Sequence, residues 1–182
     1  MPPRWRRRWR PAATRTTEVP LSDRRHRLRR QQLEQAPAPW LTPGKRQLAE
    51  LILASHAQAF GRALAPSAQE LFSADLVVLA HDGSSDPCLT YANAAALQLW
   101  ERPWGAMIGM PSRLTAEAQE RQSRSLALQQ ALRQQAIEGY SGIRISSTGR
   151  RFQIHNARLW CLSDPDGRPC GQAAAFSDWW WL

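Results

Sequence analysis

The residues best suited to chemistry in this chain are arginines. Arg113 follows Pro111 and Ser112, and Arg144, Arg150 and Arg151 flank a Ser-Ser-Thr-Gly turn. A guanidinium is planar and offers a fork of donors that matches a carboxylate or phosphate, so Arg113 beside a helix start is a candidate for holding an acidic ligand. The more ordinary reading is an ion pair with Glu101 or Glu117, or a bond to a carbonyl. Of the histidines, His56, His81 and His155 fall outside the leader; His155, between Ile154 and Asn156, reads as a strand residue that is satisfied or faces solvent. Cys88, Cys161 and Cys170 fit no zinc spacing, and Cys161 and Cys170 read as core residues on either side of a turn. No nucleophile elbow, lysine-bearing phosphate loop, His-Glu-x-x-His helix or carboxylate pair is visible, so a non-catalytic protein is expected.

Charge divides the chain. Residues 1–42 hold eleven Arg and three acids, whereas the rest holds thirteen Lys or Arg against twelve acids, so the formal charge of +9 belongs almost wholly to the leader. Residues 1–41 mix arginine runs with prolines and carry too few aliphatic side chains for a core, and are expected to be disordered. Trp5 and Trp9 among arginines suit stacking and phosphate contact, yet a solvated extension is the simpler reading, with nucleic-acid binding expected only weakly through the arginines of residues 4–30. With no secretory signal, an odd cysteine count and no apolar run near the ~20 residues of a membrane span, a cytoplasmic location without membrane insertion is expected.

The elements that position these residues follow from periodicity. Thr42-Pro43 starts a helix with apolar or small residues at Leu48, Leu51, Ile52, Ser55, Ala59 and Ala63, an amphipathic helix of about five turns. A helical turn over 67–72 precedes an apolar strand at 75–80, a polar turn over 81–87 and a short strand at 88–91. Asn93 caps the next helix. Residues 103–113 are irregular, and Thr115 is expected to cap a long helix over 116–138 that Gly139 ends. Strands at 140–146, 151–162 and 170–180 complete an α+β domain over residues 42–182. It has a five-stranded antiparallel sheet with helices on one face, plus the N-terminal amphipathic helix.

That order resembles the PAS architecture. Four blocks sharpen the likeness: Leu89-Thr-Tyr-Ala-Asn-Ala-Ala-Ala-Leu-Gln-Leu-Trp100, Pro111-Ser-Arg-Leu-Thr-Ala-Glu117, Gly139-Tyr-Ser-Gly-Ile-Arg-Ile-Ser-Ser-Thr-Gly-Arg-Arg-Phe152 and Gly171-Gln-Ala-Ala-Ala-Phe-Ser-Asp-Trp179. Together, over residues 43–179, they resemble the MEKHLA domain family. That family is PAS-related, stands alone in bacteria and ends class III homeodomain leucine-zipper factors in plants. The resemblance implies sensing or regulation without naming a ligand; the expected function is a sensory or regulatory module that binds a small molecule, acidic or aromatic, and/or a protein partner. The alternative is a constitutive interaction module without ligand. No homeodomain or zipper fits in the leader, so a transcription-factor role does not carry over.

A PAS-like pocket lies between helices and sheet. Its expected wall is Ile143, Ile145, Phe152 and Ile154, which share parity within their strands. Tyr91, Trp100, Trp104 and Met107 are expected at its mouth, and Asn93, Arg113 and Gln172 are its polar candidates. Gln172 sits where flavin-binding PAS relatives often place a glutamine, but the Asn-Cys-Arg-type block of those relatives is absent, and no histidine lies on the long helix to ligate haem. The residues therefore name no cofactor and no metal. The aromatic end at 178–182, with Trp180 and Trp181, is expected to offer a homodimer contact or to pack on the first helix.

Overall fold

A computed structural model describes residues 38–182; the disorder expected for residues 1–37 lies outside the described residues, whereas Pro39–Leu41, expected to be disordered with them, form a 3₁₀ turn. The first helix, α1 (Pro43–Phe60), starts with proline at its first position, and the carbonyl of extended Thr42 accepts from Lys45 and Arg46. It stops at Gly61, whose φ of 68° permits the left-handed turn that returns its N–H to the Ala57 carbonyl. Trp40, ahead of the expected start, stacks on Phe72 at 4.1 Å. Phe72 belongs to α2 (Ala68–Ser73), capped by the Ser67 hydroxyl accepting from the Glu70 N–H.

Strands β1 (Val77–Asp82) and β2 (Leu89–Ala92) form an antiparallel pair. Three short roof segments follow: α3 (Ala94–Leu99), α4 (Trp104–Met107) and a 3₁₀ turn at Ser112–Thr115. After another 3₁₀ turn comes α5 (Arg121–Gln134), then β3 (Ala136–Ile145), β4 (Arg151–Ser163), β5 (Pro169–Phe176) and β6 (Asp178–Trp181). The sheet order is β2-β1-β5-β4-β3, and every pairing is antiparallel. β6 continues β5 along β4 beyond a break at Ser177, with Ile154 opposite Trp179 and Phe152 opposite Trp181. The five expected strands are thus present, the last divided in two.

The expected long helix is shorter at both ends. Thr115 caps nothing: it is buried in a 3₁₀ turn and donates its hydroxyl to the Ser112 carbonyl. The stop is Gln135, at φ 66°, whereas Gly139, at φ 81°, sits inside β3 where the register with β4 shifts. β3 therefore begins at Ala136, because the residues after Gln135 pair with Leu159 and Trp160 at the far end of β4.

Side chains alternate across the sheet, and each face has its own core. Val78, Ala80, Trp160, Leu162, Ala173 and Ala175 face α1, which buries Ala49, Ile52 and His56 against them. There the His56 Nδ1–H donates to the Arg62 carbonyl, leaving Nε2 to accept from Arg158 at 2.7 Å, and Trp160 donates to Ser55 at 2.9 Å. The roof elements cover the opposite face, where Leu79, Leu89, Trp100, Phe152, Ile154, Ala157 and Phe176 cluster. Only glycine fits at position 171, opposite Asp82, because a Cβ there would stand 2.1 Å from the His81 carbonyl oxygen.

Candidate functional site

Between α5 and the sheet lies a cavity of about 50 Å³. The register builds its floor: His81 lies opposite Gln172 and Leu79 opposite Ala174 on one side of β5, and Cys161 and Leu159 lie opposite the same two residues on the other. These positions share one face. The helix supplies Arg124, Leu128 and Ala131, an i, i+4, i+7 stripe; Arg124 and Leu128 reach the cavity and Ala131 is fully buried. Leu132, four residues beyond Leu128, is 52% exposed. The helix is fastened by the Gln172 side-chain amide, which donates to the Leu128 carbonyl at 3.0 Å, and by the Cys161 thiol on the Ala131 carbonyl.

The polar groups in this apolar chamber are unevenly satisfied. Arg144 is 5% exposed and donates to its neighbour's carbonyl at Ile143 and to the Tyr140 hydroxyl at 2.8 Å. Arg124 makes no hydrogen bond and no ion pair among the described residues, although five ion pairs form elsewhere among them. Burial, reinforced by the facing charge of Arg144, pulls the Arg124 guanidinium down to about 10. His81 is 7% exposed, and its Nδ1 lies 2.7 Å from the Asp82 carbonyl. A carbonyl only accepts, so the ring proton is on Nδ1 and the neutral ring leaves Nε2 as a buried acceptor without a partner among the described residues. Burial lowers the His81 pKa, and the Arg124 charge adds to that.

His81, Arg124, Leu128 and Gln172 also line an open groove of about 690 Å³, so the same four side chains stand between groove and chamber. The groove runs between the 81–87 turn and α5. Ser112, 1% exposed, lines it, and its buried hydroxyl has no partner among the described residues.

Of the residues expected at the pocket, Trp100, Ile154 and Gln172 line the chamber. Phe152 is buried in the same core, edge-on to Trp100 at 5.1 Å, and Met107 is buried nearby, but neither lines it. Ile143 and Ile145 belong to the other face: they pair with Gln153 and Arg151, while Gly142 and Arg144 pair with Ile154 and Phe152 and turn inward. Parity within each strand is correct; the hairpin register between them inverts the assignment. Tyr91 and Trp104 pack with Phe72 in the core beneath α1 rather than at the mouth, and burial pushes the Tyr91 phenol above its ordinary range.

Asn93 is a junction instead of a pocket wall. Its carbonyl oxygen accepts from Val78 and Ala96, and its amide nitrogen lies within 3.3 Å of the carbonyls of Leu71, Ala74 and Leu76. Arg113 is paired across two bonds with Asp86, neither of the acids expected; Glu101 and Glu117 take Arg150 and Arg151. Asp86 sits in the turn after β1, so this pair clips that turn to the roof at the edge of the groove.

Cys170 is exposed and not a core residue, and Cys161 is partly buried. Trp180 is 49% exposed, whereas Trp181 lies under Arg150 at 3.7 Å and against Phe152. Arg124 was missed because its helix is polar overall. The signal was one arginine four residues before Leu128 and seven before Ala131, on one face of the helix.

Among the described residues no helix is long and apolar enough to cross a membrane, and no group of three His, Cys, Asp or Glu could hold a metal ion. The fold is similar to a PAS domain of a protein from Colwellia psychrerythraea: 12% identity, 59% of this chain, 89% of the other, TM-score 0.54. It is also similar to a light-oxygen-voltage domain studied with a flavin analogue: 14% identity, 63% of this chain, 83% of the other, TM-score 0.51. These likenesses concern the fold alone. No curated protein matches the chain. The sheet order, the roof over one face and the four sequence blocks coincide with a match to the MEKHLA domain over residues 46–181, and the chain belongs to that family.

Proposed function

We propose that the chain is a cytoplasmic, non-catalytic sensory module whose small-molecule ligand enters between the 81–87 turn and α5 and occupies the chamber together with the inner part of the groove. One observation carries this reading: the chamber wall holds a half-buried guanidinium, Arg124, and a buried imidazole nitrogen, His81 Nε2, neither with a partner among the described residues. Polar groups buried in that state cost stability unless something satisfies them. The chamber by itself is far below the ~300 Å³ at which drug-sized ligand pockets begin. The ligand therefore either is very small or displaces the wall of four side chains. The test is mass spectrometry of solvent extracts from purified protein, with thermal shifts across a metabolite panel. A bound or stabilising compound, whose effect disappears when Ala174→Phe fills the floor, is expected. An empty extract and a flat panel refute the reading.

A homodimer built on the C-terminal end is the second reading, favoured by Trp180 at 49% and Leu182 at 61% exposure. Light scattering on a sizing column tests it. A dimer that dissociates when residues 180–182 are removed is expected, and a monomer at high concentration excludes it.

A further inference from the structure

The chamber's charge specifies its ligand more narrowly, given that the chamber is a binding site at all. Arg124 and Arg144 both line it, and no aspartate or glutamate among the described residues does. The two acids at the groove are occupied: Asp86 by Arg113, and Asp82 by the Ser84 and Cys88 backbone and the Ser84 hydroxyl. Two cations facing one apolar space repel, and the arrangement becomes favourable when an anion joins them. Tyr140 accepts from Arg144, so its own hydroxyl hydrogen remains to be donated. His81 Nε2 has the opposite need: it is an acceptor, 93% shielded with its ring, and requires a hydrogen from the ligand.

We propose that the chamber recognises a small organic acid that also carries a hydroxyl or amine hydrogen. Its carboxylate lies between Arg124 and Arg144, and its donor hydrogen points to His81 Nε2. A volume of about 50 Å³ admits only a few water-sized groups, so the carboxylate and the atoms next to it fill the chamber and any remainder lies in the groove. Arginine favours a planar, two-oxygen anion over a compact ion, and pairing within this enclosed space is stronger than at the surface.

The full chain is titrated calorimetrically with lactate and 4-hydroxybenzoate, with their amides, with propionate and with inorganic phosphate. The acids are expected to bind, their amides at least tenfold more weakly, and propionate more weakly than lactate. Arg124→Met breaks no hydrogen bond among the described residues and so keeps the fold, checked by circular dichroism. It should weaken the acids at least tenfold and leave the amides unchanged. His81→Phe should erase the difference between lactate and propionate. Amides that bind as well as the acids, or phosphate that matches them, overturn the organic-acid assignment and leave the binding reading standing. If neither acids nor amides bind at millimolar concentration, and nothing is extracted from the purified protein, both fail together.

Discussion

Replacing Arg124 by methionine should make the ligand-free protein more stable. Its guanidinium is half-buried, touches no carboxylate or carbonyl among the described residues and faces Arg144. A fall from the ordinary guanidinium range to about 10 corresponds to roughly 3 kcal/mol of differential interaction. Water in the groove screens part of this, and methionine gives up some packing of the arginine stem, so the net gain is about 1–2 kcal/mol. For a domain of this size that raises the melting temperature by roughly 2–8 °C. The sign follows from linkage. At neutral pH both folded and unfolded states hold the Arg124 proton, so the folded state bears the whole cost; only above about pH 10 does the native state release it first and recover stability. The gain should therefore be constant from pH 6 to 8. Urea denaturation of both proteins, ligand-free, measures it. A loss of more than about 1 kcal/mol in the variant would mean that Arg124 stabilises the fold, and the reasoning from its lack of partners would be wrong.

Other perturbations probe separate links. Asn93→Ala leaves the Val78 and Ala96 N–H groups and up to three buried carbonyls unpaired and should cost about 3–5 kcal/mol in urea denaturation, a loss under 1 kcal/mol contradicting its junction role. Gly171→Ala should prevent folding or cost more than about 3 kcal/mol, read by circular dichroism, because the added Cβ meets the His81 carbonyl within a paired strand. Burial lowers both His56 and His81 below 6.5, so on acidification the unfolded state gains these protons first; stability should be full above 6.5 and decline below it, and replacing both histidines should flatten the decline. Arg113→Ala, by contrast, breaks an exposed pair and should change stability by less than about 1 kcal/mol, an outcome the denaturation midpoint reads directly.

How far the sequence reaches can be seen residue by residue. The amphipathic period from Leu48 onward, the apolar run at residues 76–80 and the Asp164-Pro-Asp-Gly167 turn are local signals, and the structure has α1, β1 and the β4–β5 hairpin there. Asn93 was legible as a helix cap for the same reason. Its contacts with Leu71, Ala74 and Leu76 were not, since they join segments seventeen or more residues apart. The inward direction of Arg144 depended on the register between two strands, which a five-residue loop sets and which alternation within either strand leaves open. A one-residue difference in register separates a wall of isoleucines from a buried guanidinium.

The element most able to respond to a ligand is α5. Its inward stripe ends on a charged residue, Leu126 and Leu132 are exposed, and Gln172 and Cys161 tie it to the sheet through two side-chain hydrogen bonds among the described residues. Such an element lies toward the low-stability end of a fold. α1, on the opposite face, is separated from it by one layer of strand in which neighbours point opposite ways: Leu159 lines the chamber while Trp160 packs on Ser55, His56 and Phe60 of α1. A ligand that repositions α5 presses on Leu159 and Gln172, and the same backbone carries Trp160 and Ala173 into the α1 interface. Coupling between the two faces is a thermodynamic quantity. Ligand affinity and the stability of the α1 contact must change together, reciprocally, when Trp160 is replaced by phenylalanine. Equal lactate affinity in Trp160→Phe and in the parent protein, with the α1 contact weakened, would confine the response to the roof.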